Sequence, residues 1–136
     1  MALATIQSMS PFFIVGDVSQ SIAFYVEALG FESMFKQPAD HPFFGIVSRD
    51  GAMLFLKAGA SPPLPNPKRE PSMRWDAYCA TLDPDALAAE LSARGASFST
   101  PLTVTSEGLR GFEITDPDGY VIFFGRPQET AHPASA

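Results

Sequence analysis

The sequence predicts an α+β domain built of two βαβββ modules. Their eight strands would form a curled mixed sheet around a cleft, with the helices on the outer face. The main observation is an internal repeat. Phe12-Phe13-Ile14-Val15-Gly16-Asp17 leads into a helical stretch ending at Leu29-Gly30, and Tyr78-Cys79-Ala80-Thr81-Leu82-Asp83 leads into another ending at Arg94-Gly95. The copies also close alike, Asp50-Gly51-Ala52-Met53-Leu54-Phe55-Leu56 matching Asp118-Gly119-Tyr120-Val121-Ile122-Phe123-Phe124 at nearly the same spacing. Composition is the second observation. A chain of 136 residues, 46% hydrophobic and 18% charged, suits one packed globule rather than a disordered tail. At that length folding buries roughly two-thirds of the unfolded surface.

Each element has a local cause. Residues 11–16 are a short apolar run suited to a strand covered on both faces. Asp17 can cap the next helix, in which Val18, Ile22, Tyr25 and Leu29 recur at helical spacing before Gly30 supplies a left-handed stop. In the second copy Asp83 is the cap, Pro84 takes the first helical position, and Leu87 and Leu91 form the stripe before Gly95. Three strands follow each helix, over about 31–36, 43–48 and 52–57, then about 97–102, 110–115 and 120–125. Asp50-Gly51 and Asp118-Gly119 are turn dipeptides that fold the last two strands of each copy into hairpins. The modules thus span 10–58 and 74–126, within a single domain. Between them, residues 59–73 hold Pro62, Pro63, Pro65, Pro67 and Pro71, a stiff extended connector. The tail, 127–136, is expected to fray. A connector of this kind also allows modules to pair with a partner's, so a homodimer is expected, with domain swapping open.

Fifteen acidic against nine basic side chains leave a net charge of −6 with no Lys/Arg cluster, which argues against nucleic acid as a partner. No apolar run approaches the ~20 residues that cross a bilayer, so no membrane partner is expected. Met1 to Met9 lacks a basic region and an apolar core, so no signal peptide is expected. The single cysteine, Cys79, fits a reducing cytoplasm, and strand alternation puts it on the helix side as a small core residue.

Val15-x-Asp17, Ser21-Ile22-Ala23-Phe24-Tyr25 and Leu29-Gly30-Phe31 resemble the opening of the glyoxalase, bleomycin-resistance and extradiol-dioxygenase (vicinal oxygen chelate) superfamily. Phe112-Glu113-Ile114-Thr115-Asp116-Pro117-Asp118-Gly119 resembles its closing Asp-Pro-x-Gly turn. The resemblance covers about residues 10–126 and speaks for the fold more than for a function, since the superfamily includes metal enzymes and metal-free binding proteins. In its metal-dependent members, the resemblance implies, ligands come from the first and last strands of each module. Those positions fall here on Ser10 and Asp76, and on Phe55 and Phe123. A catalytic divalent metal needs about three N, O or S ligands. Two phenyl rings supply none, and their neighbours Leu54, Leu56, Ile122 and Phe124 are apolar too. No metal and no other cofactor is expected. His41 lies in a loop signature and His132 in the tail.

If those positions face the cleft, alternation sends Phe12, Met53, Phe55, Tyr78 and Phe123 there, while Phe13, Val15, Leu54, Leu56, Ile122 and Phe124 pack on the helices. Trp75, Asp76, Arg110 and Glu113 are the polar and amphipathic residues expected beside them, with Arg74 and Arg110 as partners for the acids. The expected function is metal-free binding, and hence sequestration, of a small molecule, as in the bleomycin-resistance members. The ligand would be aromatic or amphipathic, cations included, because aromatic faces and carboxylates attract cations. No catalytic residue is assigned. A competing enzyme, a lyase, isomerase or dioxygenase, would need a metal on His41, Asp76 and Glu113, or Asp76 or Glu113 as a general base. A third reading is a module that binds another protein through the proline-rich linker.

Overall fold

The computed structural model describes residues 3–72 and 74–128. The first module runs β1 (Phe12–Ile14), α1 (Val18–Glu27), β2 (Glu32–Gln37), β3 (Phe44–Arg49) and β4 (Ala52–Lys57). The second runs β5 (Ala77–Ala80), α3 (Pro84–Ala93), β6 (Thr100–Val104), β7 (Leu109–Thr115) and β8 (Val121–Pro127). Both modules have the expected order, and the fold class is as the repeat predicts. The eight strands divide into two four-stranded mixed sheets, ordered β1-β4-β3-β2 and β5-β8-β7-β6. In each, the first strand lies parallel to the last at one edge and the other neighbours are antiparallel.

The helix signals act where the sequence placed them. Asp17 Oδ1 accepts the Gln20 amide and Asp83 Oδ1 the Ala86 amide, each at 3.0 Å. Gly30 and Gly95 follow the helices with φ of 74° and 89°, left-handed values that cost glycine little. The linker departs from expectation. It is not extended throughout, because Asn66–Arg69 forms one helical turn, α2. Pro67 fits its first positions, where no intrahelical amide bond is lost.

Alternate residues of both sheets meet in one core. Phe13, Val15, Leu54 and Leu56 pack with Val18, Ile22, Tyr25 and Leu29 of the first module and with Leu91, Phe112, Ile114, Tyr120, Ile122 and Phe124 of the second. Polar bonds close the same junction. The buried Tyr25 hydroxyl donates to Asp116 Oδ2 at 2.8 Å, and Tyr120 donates to the Ile14 carbonyl at 2.6 Å while its ring stacks on Phe13 at 4.1 Å. Gly16 donates its amide to Asp118 Oδ1 at 3.0 Å, and Arg49 pairs with Glu90 at 2.6 Å. The Phe24-Tyr25 phrase and the Asp116-Pro117-Asp118-Gly119 phrase, far apart in sequence, therefore touch each other. They staple module to module, and Asp116 Oδ1 also accepts the Asp118 and Tyr120 amides to shape the β7–β8 turn.

Candidate functional site

The face of each sheet turned away from this core carries the candidate site. Register defines a row across each. In the first sheet Phe12 pairs with Phe55, Phe55 with Ile46, and Ile46 with Phe35. Phe44 of β3 lies between Phe35 and Phe55, 6.0 Å from each, and Phe12 stacks on Phe55 at 6.3 Å. This ring surface is open: Phe12 is 58% exposed, Phe35 46% and Met53 39%. Aromatic area left in water on a sheet face is unfavourable and marks a binding surface.

The second sheet repeats the row as Tyr78, Phe123, Glu113 and Thr100. Here polar Glu113 and Thr100 take the places of Ile46 and Phe35. Trp75, in the segment just before β5, lays its indole on Phe123 at 4.2 Å, and Tyr78 lies 5.6 Å from Phe123. Phe123 can lie flat because Gly111 and Gly125 sit opposite each other beneath its ring; a Cβ on Gly111 would come within 2.6 Å of its Cζ. The Trp75 indole donates to Glu113 Oε2 at 2.8 Å, Arg74 Nη2 to Oε1 at 2.6 Å, and the Thr100 hydroxyl to Oε1 at 3.0 Å. Burial alone would push the Glu113 carboxyl up, but these bonds and the Arg74 charge outweigh it and hold the group below the usual carboxylate range. Glu113 is thus an ionised, fully partnered anion rather than a proton acceptor in waiting.

Phe12, Met53 and Phe55 come together on the first face, and Trp75, Tyr78, Glu113 and Phe123 on the second. Asp76 borders the second face, but Oδ1 accepts the Asn66 amide at 2.6 Å and Oδ2 the Val121 amide at 2.8 Å, so it fastens the linker turn to β8. Arg110 lies on the opposite side of its sheet, its guanidinium forked onto Asp85 of α3 at 2.7 and 2.8 Å. It does not join Glu113; Arg74 takes that place. His41 is exposed in the β2–β3 loop, and His132 lies outside the described residues. Burial pushes the Cys79 thiol up, which weakens it as a nucleophile. A cleft of about 420 Å³ between the modules is lined in part by Leu29, Phe31, Leu87 and Leu91 and also touches Met53 and Tyr78.

The metal of the wider superfamily does not fit these residues. Phe55 and Phe123 carry no donor atom, and Asp76 is held by two amides. Among the described residues no three His, Cys, Asp or Glu side chains converge on one point. None of their helices is long and apolar enough to cross a membrane.

The family model of the Glyoxalase/Bleomycin resistance protein/Dioxygenase superfamily matches residues 5–124. Among solved structures, the antibiotic binding protein TnmS3 from Streptomyces sp. CB03234 is 26% identical, with a TM-score of 0.66, covering 93% of this chain and 100% of its own. The bleomycin-binding protein from bleomycin-producing Streptomyces verticillus, complexed with copper(II)-bleomycin, is 24% identical, also with a TM-score of 0.66, covering 94% and 100%. TioX from Micromonospora sp. ML1 has a TM-score of 0.68 at 20% identity, covering 88% and 98%. No curated protein sequence matches the chain. Repeat, topology and matched residues agree, and the chain belongs to the glyoxalase, bleomycin-resistance and dioxygenase superfamily.

Proposed function

We propose that the protein binds and sequesters a small aromatic or amphipathic molecule, without metal and without chemistry. The observation that carries this is the pair of aromatic rows, one open to solvent across the whole first sheet and one built on the Trp75–Phe123 stack. Similarity to a bleomycin-binding and an antibiotic binding protein supports the same reading. An open sheet face grips only one side of a ring, whereas two opposed faces enclose it. β1 and β5 are edge strands with aromatic residues on their outward faces, which suits a homodimer, domain-swapped in the sense that the first face of one protomer meets the second face of its partner. Each dimer would hold two ligands. Where the ligand is an antibiotic, sequestration confers resistance. The single cysteine supports a cytoplasmic setting.

The test joins sedimentation equilibrium with thermal melts against a panel of polycyclic aromatic compounds and against Zn²⁺, Ni²⁺, Mn²⁺, Fe²⁺ and chelator. A dimer is expected, together with an upward shift from aromatic compounds alone. Binding only to the folded state adds about 2.7 kcal/mol at a hundredfold excess over Kd, a shift well within reach of the assay. A chelator-sensitive melt with stoichiometric metal, or no response to any aromatic compound, would overturn the proposal.

A further inference from the structure

Strand register sorts the charges of the second face. Among the described residues only two carboxylates belong to it, Asp76 and Glu113, and both are engaged, Asp76 by two backbone amides and Glu113 by Arg74, Trp75 and Thr100. Neither is available to a cationic ligand. The cation that answers Glu113 is in a different position. Arg74 has five N–H donors, and its bonds, to Glu113 and a long one of 3.5 Å to Thr100, both leave from Nη2. Its side chain is 58% exposed, and among the described residues neither Nη1 nor Nε makes a hydrogen bond, which leaves that edge of the fork open to a further acceptor. Glu113 holds the guanidinium in place, which reduces the ordering cost of a further bond. Trp75 is its neighbour in the chain, and the Trp75 indole, backed by the buried Phe123 ring, forms the aromatic platform with the half-exposed Tyr78.

We infer that this face selects aromatic ligands bearing an anionic group, a carboxylate, sulfonate or phenolate, and that Arg74 is the residue that reads it. The ring would lie on the platform while the anion takes the free edge of the fork, a charge-assisted and geometrically selective contact. This rests on the sequestering function proposed above and adds the charge of the ligand to it. The acidic balance of the whole chain points the other way, but a contact at hydrogen-bond distance outweighs charges screened beyond about 8 Å at physiological salt.

Trp75 is the only tryptophan, so its fluorescence reports binding at this face. The experiment titrates three matched quenchers into the protein: anthraquinone-2-carboxylate, its carboxamide, and 2-(aminomethyl)anthraquinone. The anion is expected to bind about tenfold tighter than the amide, with the cation weakest. In R74Q that preference for the anion over the amide disappears. The double variant R74Q/E113Q removes both charges, leaves no buried carboxylate without its cation, and should show the same loss. Binding of all three probes with equal affinity, or tighter binding of the cation, would overturn the inference while leaving sequestration standing, as would an anion preference that survives in the double variant. Absence of quenching by all three would overturn sequestration, and this inference with it.

Discussion

The junction between modules contains a carboxylate whose ionisation opposes folding. Asp116 is 5% exposed, and burial pushes its carboxyl up to about 6 in spite of bonds from the Tyr25 hydroxyl and the Asp118 and Tyr120 amides. Between the ordinary value of 3.8 and about 6, the folded protein therefore holds a proton that the unfolded chain has released. Stability contributed by this group is complete below the lower value and lost as pH rises through the upper one. A span of roughly two pH units at 1.36 kcal/mol each makes the loss on the order of 3 kcal/mol. D116N removes the titration and mimics the protonated acid. Its amide oxygen can accept the two turn amides, and its NH₂ can donate to the Tyr25 hydroxyl. Urea unfolding of both proteins, at one protein concentration and across about pH 4 to 7.5, isolates the effect, because other groups cancel in the difference. The two should be close in stability at the acid end, and the difference should move in favour of D116N by on the order of 3 kcal/mol by neutral pH. A difference constant with pH would refute the reasoning and show that three hydrogen bonds offset the burial of the charge.

Other parts of the site respond to smaller changes. G111A sets a Cβ into the Phe124 carbonyl oxygen and 2.6 Å from the Phe123 ring, so the β7 and β8 backbones must part there; it should cost about 3 kcal/mol or more and shift Trp75 emission to the red as the stack opens, read by urea melts with fluorescence detection. E113Q should destabilise by about 1–2 kcal/mol at neutral pH, the loss of a charge-assisted bond to a half-exposed arginine. The Glu113 carboxyl is held low, so the stability it confers is present at neutral pH and disappears as pH falls through its folded value; the gap between wild type and E113Q should close in acid. F12S removes a ring that is 58% exposed and should alter stability by less than about 1 kcal/mol while lowering affinity for aromatic probes at least severalfold, measured by Trp75 quenching.

Much of the fold was legible because its causes are local. Asp17, Asp83, Gly30 and Gly95 act on the helix ends beside them, and the repeat places every strand within a few residues. The linker turn was not legible, because the group that fastens its start is Asp76, which reaches the Asn66 amide only after the chain has folded back on itself. The Tyr25–Asp116 bond is longer still in sequence. Its two phrases were legible as a family mark, but not as the contact that makes them one. Arg110 is a different case. It lies three positions from Glu113 on one strand, and alternation alone puts the two on opposite faces. That signal was present in the sequence and excluded Arg110 from the site, whereas nothing periodic pointed to Arg74, which stands ahead of β5 and outside any pattern.

The repeat itself shows where to look for function. Matched by register, the first row is Phe12, Phe55, Ile46 and Phe35, and the second is Tyr78, Phe123, Glu113 and Thr100. The inner strand beside the parallel edge of each sheet, β4 or β8, keeps phenylalanine, so that ring belongs to what both modules need. The divergence is at Ile46 against Glu113, where an aliphatic side chain suffices for a sheet face and a buried carboxylate does not. Burying that carboxylate is unfavourable unless it is partnered, and Arg74, Trp75 and Thr100 partner it completely. Packing does not require this arrangement, since the first module folds on the same plan without it. The cluster instead orients an arginine and a tryptophan on one face of one module. A dimer that sets the plain aromatic row of one protomer against this row of the other would form a cleft with two unlike walls, one supplying area and the other direction.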